Sequence, residues 1–501
     1  MTAWEVHLPP EVPAPGIEAR LLQAGTLPAA WAVGFAAHPG RPVLWSPEAG
    51  WTTAGALEAA SRRVAGRFHR AGLRPGDRVL MSAAASAAYV TTHVAALRLG
   101  LVVVPANTAY REREVAHLVT DARPAAAVVD DPDRGAWVQR AAGGDVVVTG
   151  PGVDLPDGPG AGLNLDASTP SDPALLGYTS GTTGAPKGAA LSHANLLATT
   201  EAVRLAWRWS PDDRLVLALP LFHLHGLGVG LHGTLLAGGS AVLLPRFDAG
   251  AVLDVARDHD ATLFFGVPTM YSRLAASSRL AELSRLRLCV SGSAPLPPEL
   301  FRRVAAGCGQ EPLERYGMTE TGMNVSNPHD GERRPGTVGF PLPGVDLRLA
   351  GGGTGEILLR GPNVFAGYWR NPGATEEAFD GGWFHTGDIG ELDADGYLSI
   401  VGRERELIIT GGLNVYPREV EDVLLTHPAV AEVAVAGVAD DHWGEVVTAW
   451  VVPTGAPPPP QALLDHAAGQ LAAFKCPRAV HFVESLPRNA LGKLLRHQLG
   501  K

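Results

Sequence analysis

Thr179-Ser180-Gly181-Thr182-Thr183-Gly184-Ala185-Pro186-Lys187-Gly188 is dense in hydroxyls and glycines and closes on one lysine. Its glycines let backbone N–H groups approach phosphate oxygens, Ser180, Thr182 and Thr183 add hydroxyl donors, and Lys187 supplies a compact positive charge. The run is suited to a polyphosphate. The pattern G-x-x-x-x-G-K-[ST] fails here, because Pro186 stands where the second glycine belongs and Gly188 where the magnesium-binding hydroxyl belongs. A Gly/Ser/Thr-rich surface linker is the competing reading. The apolar lead-in Ala174-Leu175-Leu176-Gly177-Tyr178 and the lysine locked behind a proline weigh against it.

Short apolar runs alternate with longer helical stretches on both sides of this loop. Before it come strands at 78–82, 101–104 and 125–129 and a helix over 54–71; after it come strands at 215–219, 240–244, 262–265 and 286–290. That rhythm predicts parallel βαβ units in two doubly wound lobes. From 336 to about 400 the pattern changes to short strands with Gly, Pro and Asp turns (345–349, 355–360, 396–401), as in a small β-barrel-like subdomain. A helix at 417–425, strands at 431–438 and 446–452 and a helix at 461–473 then predict a small α+β domain. The expected division is 1–402 and 403–501.

A chain of 501 residues exceeds a single core and fits roughly two to four structural units. Its 41 basic and 51 acidic residues leave a net charge of −10, with no basic footprint for nucleic acid. Three cysteines (Cys289, Cys308, Cys476) with no C-x-x-C spacing support neither a disulfide framework nor a structural zinc site, so a reducing cytoplasm is expected. The first twenty residues carry three acidic groups and four prolines, unlike a secretory signal. The uncharged stretch 226–244 contains six glycines and a histidine and predicts a buried helix and strand, not a membrane span.

Two further segments carry chemistry. In 313–321, Leu-Glu-Arg-Tyr-Gly-Met-Thr-Glu-Thr, Tyr316 can stack on a purine and Glu320 is a hard oxygen ligand suited to magnesium. In 383–388, Trp-Phe-His-Thr-Gly-Asp, the two oxygens of Asp388 can bridge a ribose diol, although Gly-Asp is also ordinary turn chemistry.

With these segments in order, followed by Gly402-Arg403 and by Pro487-Arg488-Asn489-Ala490-Leu491-Gly492-Lys493, nearly the whole chain resembles the adenylate-forming superfamily of acyl-CoA synthetases, peptide-synthetase adenylation domains and luciferases. The resemblance implies ATP, magnesium and coenzyme A, with a carboxylic acid as the remaining substrate. It implies that the loop 179–187 holds the β- and γ-phosphates, that Thr319 contacts the α-phosphate and that Glu320 binds magnesium. Ser291, Gly292, Ser293, Ala294 and Tyr316 correspond to the adenine pocket, Glu314, Arg315 and Gly317 to further ATP-binding positions, and Asp388 with Arg403 to the ribose clamp. Lys493 corresponds to the mobile lysine that bridges carboxylate and α-phosphate. Attack of a carboxylate on the α-phosphorus needs no protein base, so positioning and charge neutralisation must supply the catalysis.

Gly402-Arg403-Glu404-Arg405-Glu406 departs slightly from the family, which usually has Lys-Asp or Asp-Asp at the last two positions, yet keeps the charge signs. Arg405 corresponds to the hinge, and Gly411, Gly412 and Leu413 to the face along which pantetheine threads. Residues 316–327, 328–334, 336–343 and 409–417 resemble malonyl-CoA and methylmalonyl-CoA synthetases. A dicarboxylate needs a cation for its distal carboxylate, since a buried unpaired charge is costly, and an arginine fork suits it. By that resemblance Arg273 and Arg302 are the candidates, His223 and His225 stand where the superfamily keeps an aromatic gate beside the acyl pocket, and Met318 and Met323 limit its size. Other acids, a stand-alone adenylation enzyme, a luciferase-type oxidation and a non-catalytic nucleotide-binding protein remain the alternatives.

Overall fold

The computed structural model describes residues 3–9, 12, 16, 21, 25–158, 162–179, 186–403, 406–410, 413–440, 443–489 and 492–500. Two large sheets form the N-terminal part. The first runs in spatial order Val147–Thr149, Ala126–Val129, Arg78–Ser82, Val102–Pro105, Pro173–Thr179, Lys187–Ser192. All its pairs are parallel except the last, an antiparallel hairpin in which Thr179 faces Lys187. The second, nine-stranded sheet has a parallel centre of Leu288–Ser291, Leu263–Gly266, Arg214–Leu217, Ser240–Leu243 and Pro42–Ser46. Leu313–Met318 joins that centre in parallel and turns back antiparallel through Gly322–Ser326. Near-continuous Val, Leu and Phe in these strands follow from burial on both faces.

Helices Ala87–Arg98 and His193–Ala206 each touch strands of both sheets. The second starts one residue after the loop hairpin ends, because Ser192 and Asn195 close a capping box with bonds of 3.1 and 3.0 Å. The apolar stretch after His223 is buried as predicted, as a π-turn over His225–Leu231 and a helix over His232–Ala237. Among the described residues no helix is long and apolar enough to cross a membrane.

Short strands between Asp346 and Arg403 form a five-stranded sheet. The C-terminal sheet runs Leu413–Val415, Ile408–Thr410, Gly444–Pro453, Val430–Asp440, with Ala479–Phe482 parallel to Gly444–Pro453. Helices Pro417–Leu425 and Pro460–Ala468 bury Val420, Leu424, Leu463 and Ala467 against it. The last helix is shorter than the expected 461–473, closing at Gly469. The chain divides into two compact units, 1–292 with 298–346 and 359–384, and 293–297 with 347–358 and 385–501.

Candidate functional site

The first unit holds the loop hairpin. Ser180, Gly181, Thr182, Thr183 and Gly184 lie outside the described residues, while Thr179 and Lys187 mark its two ends. The His117 ring nitrogen Nε2 meets the Pro186 carbonyl at 2.8 Å, and the Tyr178 hydroxyl donates to Asp121 at 2.5 Å. Both contacts tie the hairpin ends to the helix Glu112–Ala122. Gly177 is required by close approach, since a Cβ there would stand 2.3 Å from Thr319 Cγ2.

Thr319 and Glu320 sit in the turn between Leu313–Met318 and Gly322–Ser326. Glu320 is buried, its Oε1 accepts from the Tyr368 hydroxyl at 3.1 Å, and its carbonyl accepts from Phe365 N at 2.9 Å. Lys187 Nζ lies 5.3 Å from the centre of the Tyr368 ring. No sequence motif singles out Tyr368; a glycine followed by two aromatics at 367–369 is the only local signal. Among the described residues no group of three His, Cys, Asp or Glu side chains could hold a metal ion. A buried carboxylate that shares Tyr368 with Lys187 fits magnesium carried by nucleotide phosphates, which takes one or two protein carboxylates and keeps its other ligands as phosphate and water.

A small pocket lies among Asn107, Tyr110, Gly177, Phe222, His223 and Thr319. Of the two gate histidines His223 lines it and His225 does not, and burial lowers the His223 pKa to about 4. His225 is buried deeper and stacks on Phe265 at 6.5 Å. Burial, then the charge of Arg315, push His225 well below its ordinary pKa, so it is neutral.

Arg315 is the most unusual charge in this unit. Its side chain is buried, its Nε and Nη2 have no hydrogen-bond partner among the described residues, and burial lowers its pKa to about 9. Gly292 makes room for it: a Cβ at 292 would stand 2.5 Å from the guanidinium carbon. The buried Ser291 hydroxyl also has no partner among the described residues. By contrast Arg273 is exposed, and Arg302 is exposed and paired with Glu299 at 3.3 Å. The helix Pro298–Cys308 buries Leu300, Phe301, Val304 and Cys308, which leaves position 302 on its outer face. Met323 is buried against Gly317, Met318 is half-buried 3.8 Å from the Tyr316 hydroxyl, and Glu314 is buried.

In the second unit Asp388 and Arg403 face each other across antiparallel strands, Nε to Oδ1 at 2.8 Å. Gly387 takes φ +67°, and its N–H is held by Glu356 at 2.9 Å. Ser293 adopts φ +68°, a strained backbone for a side chain with a Cβ, and Ala294 beside it is half-buried. Lys493 lies in a tight loop in which Asn489 and Lys493 exchange bonds of 2.8 and 2.9 Å. Arg488 braces that loop through Gly492 O at 2.8 Å and Glu432 at 2.5 Å. Leu413 is exposed on its hairpin, whereas Arg405, Gly411 and Gly412 lie outside the described residues.

A family model described as AMP-binding enzyme matches residues 31–369, and one described as AMP-binding enzyme C-terminal domain matches 419–493. Similar proteins include a feruloyl-CoA synthase of an Amycolatopsis species, 39% identical over 490 residues covering 93% of this chain and 98% of that protein. A sulfoacetate–CoA ligase of Cupriavidus necator is 38% identical over 498 residues, covering 95% and 97%. The solved structure of ATP-bound MatB from Rhodopseudomonas palustris matches with a TM-score of 0.89 at 41% identity, covering 94% of this chain and 98% of that one. These matches over both segments make the protein an acid–thiol ligase that works through an acyl-adenylate, and the chain belongs to the AMP-binding enzyme family.

Proposed function

We propose that the protein joins malonate or methylmalonate to coenzyme A, with ATP converted to AMP and pyrophosphate. The observation that carries this reading is Arg315. A desolvated guanidinium with two idle N–H donors costs several kcal/mol on the order typical of buried charges, and an anionic ligand offsets that cost. A second carboxylate, separated from the reacting one by a single carbon, supplies the matching bidentate partner. His225, near enough for the Arg315 charge to lower its pKa, stays neutral and leaves that charge to an anion. This moves the distal-carboxylate role from Arg273 and Arg302 to Arg315, a residue that the family resemblance alone assigns to ATP binding.

In the first half-reaction the loop 179–187 grips the β- and γ-phosphates, Thr319 the α-phosphate, and Asp388 with Arg403 the ribose. Glu320 would hold magnesium, whose chemistry is to neutralise phosphate charge. The substrate carboxylate attacks the α-phosphorus while Lys493 bridges the two anions; pyrophosphate leaves. Residues from 403 onward then turn about Arg405, and the thiol enters past Gly411, Gly412 and Leu413 to displace AMP.

A sulfonated short acid is the second reading, favoured by the same cation and by the sulfoacetate–CoA ligase relative. The test is ATP–pyrophosphate exchange with malonate, methylmalonate, sulfoacetate, acetate, longer fatty acids, ferulate and amino acids. Exchange with malonate or methylmalonate above all others is expected; exchange with fatty or aromatic acids and none with malonate overturns the reading.

A further inference from the structure

We propose that Tyr368 is a positioning residue that sets Lys187 and Glu320 for the metal-bearing end of ATP, the hydroxyl serving the carboxylate and the ring serving the lysine. The inference rests on the adenylation reading of this site. Two separate contacts carry it: Tyr368 Oη lies 3.1 Å from Glu320 Oε1, and Lys187 Nζ lies 5.3 Å from the ring centre of the same side chain. One residue therefore touches both charged groups that the reaction needs near the departing pyrophosphate.

The backbone around it is fixed. Ala190 N donates to Gly367 O at 3.2 Å and Trp369 N to Gly188 O at 2.7 Å, so 367–369 is held to the edge of the loop hairpin by an isolated antiparallel bridge between Ala189 and Tyr368. Tyr368 N donates to Thr375 Oγ1 at 2.9 Å, and Phe365 packs edge-on against the ring at 4.9 Å. Upstream, Asn195 Nδ2 holds the carbonyls of Pro362 and Val364 at 2.8 and 2.9 Å, while Phe365 N binds Glu320 O. The segment thus links the helix that follows the phosphate loop, the edge of its hairpin and the turn bearing Glu320.

A phenol hydroxyl is a neutral donor, so it fixes the rotation of the Glu320 carboxylate without cancelling the charge a divalent cation requires. The ring faces Lys187 with a cation–π contact weak enough to be exchanged for phosphate oxygens when nucleotide arrives. A carboxylate or amide at 368 would fail in one role or the other.

The test is calorimetric binding of ATP with magnesium and with EDTA, which needs no acid substrate, so a wrong acid identity leaves it intact. Tyr368→Phe keeps the ring and is expected to bind metal-free ATP like the wild type while losing about fivefold or more of the tightening that magnesium gives. Tyr368→Leu is expected to weaken metal-free binding as well, by about threefold or more. Thioester formation from supplied acyl-adenylate and CoA should stay within about twofold of wild type in Tyr368→Phe. Unchanged magnesium tightening in Tyr368→Phe overturns the proposal, and so does an equal loss in the thioester step, which marks a packing role.

Discussion

Gly292 and Arg315 share one small volume: the backbone of the first leaves the space that the guanidinium of the second fills, and a Cβ at 292 would stand only 2.5 Å from the guanidinium carbon. That distance is shorter than any real Cβ contact, so any side chain at 292 must displace the arginine or the strand Leu313–Met318 that carries it. Gly292→Ala is expected to lower kcat/KM for malonate by about tenfold or more, the scale of a lost bidentate partner, with the KM for ATP changed less. Steady-state kinetics with each substrate varied in turn checks it, and equal losses for both substrates would argue for a nucleotide role.

Lys493 is expected to serve only the first half-reaction. Lys493→Ala should slow acyl-adenylate formation by about 100-fold or more, as for one well-placed charge donor. Thioester formation from supplied malonyl-adenylate should persist near the normal rate. Gly412 replaced by a bulky residue should give the reverse pattern. Equal loss of both steps in Lys493→Ala would instead assign the lysine to the loop that Asn489 and Arg488 brace.

Asp388 is buried and held by Arg403 Nε, so its carboxylate is oriented before any nucleotide arrives. Asp388→Ala is expected to raise the KM for ATP by about tenfold, the order of one or two charge-assisted hydrogen bonds, and to leave the KM for the acid unchanged. Discrimination between ATP and 2′-deoxy-ATP should shrink in the same variant. A wild-type-like preference would remove Asp388 from the ribose site.

A buried histidine cluster makes the fold acid-sensitive. His93 Nε2 and His232 Nε2 are 2.8 Å apart, and burial lowers His93 to about 3, His193 to about 4 and His232 well below its ordinary value. Asp172 opposes the shift at His193, whereas His93 and His193 reinforce it at His232. Folded-state values below the unfolded 6.5 mean that the unfolded chain binds more protons. Stability is therefore full above pH 6.5 and is lost as the pH falls toward about 4. His93→Gln should flatten that slope by about 1.4 kcal/mol per pH unit, one proton fewer taken up on unfolding. Denaturant unfolding at several pH values measures it; an unchanged slope contradicts it.

The parallel sheets were legible because their strands are nearly continuous apolar runs between helical stretches, as at Arg78–Ser82 and Val102–Pro105. The position of Arg315 was legible too, but not its surroundings. On the strand Leu313–Met318 side chains alternate, so Arg315 points away from the face shared by Glu314 and Tyr316, and the motif's linear order hid that difference. Arg302 was misleading for the opposite reason, since the helical stripe of Leu300, Phe301, Val304 and Cys308 already marked it as outward. Tyr368 could not be found from pattern, because its partner Glu320 lies 48 residues away and no periodicity links them.

The buried guanidinium of Arg315 is the centre of the account, and replacing it tests that most directly. ATP–pyrophosphate exchange should be measured with malonate and with propionate, which differ chiefly in the distal charge, in wild type and in Arg315→Leu. The wild type is expected to favour malonate by about 100-fold or more, and Arg315→Leu to lose most of that preference while keeping or gaining exchange with propionate. A malonate preference that survives the loss of Arg315, or exchange lost equally with both acids, would contradict it.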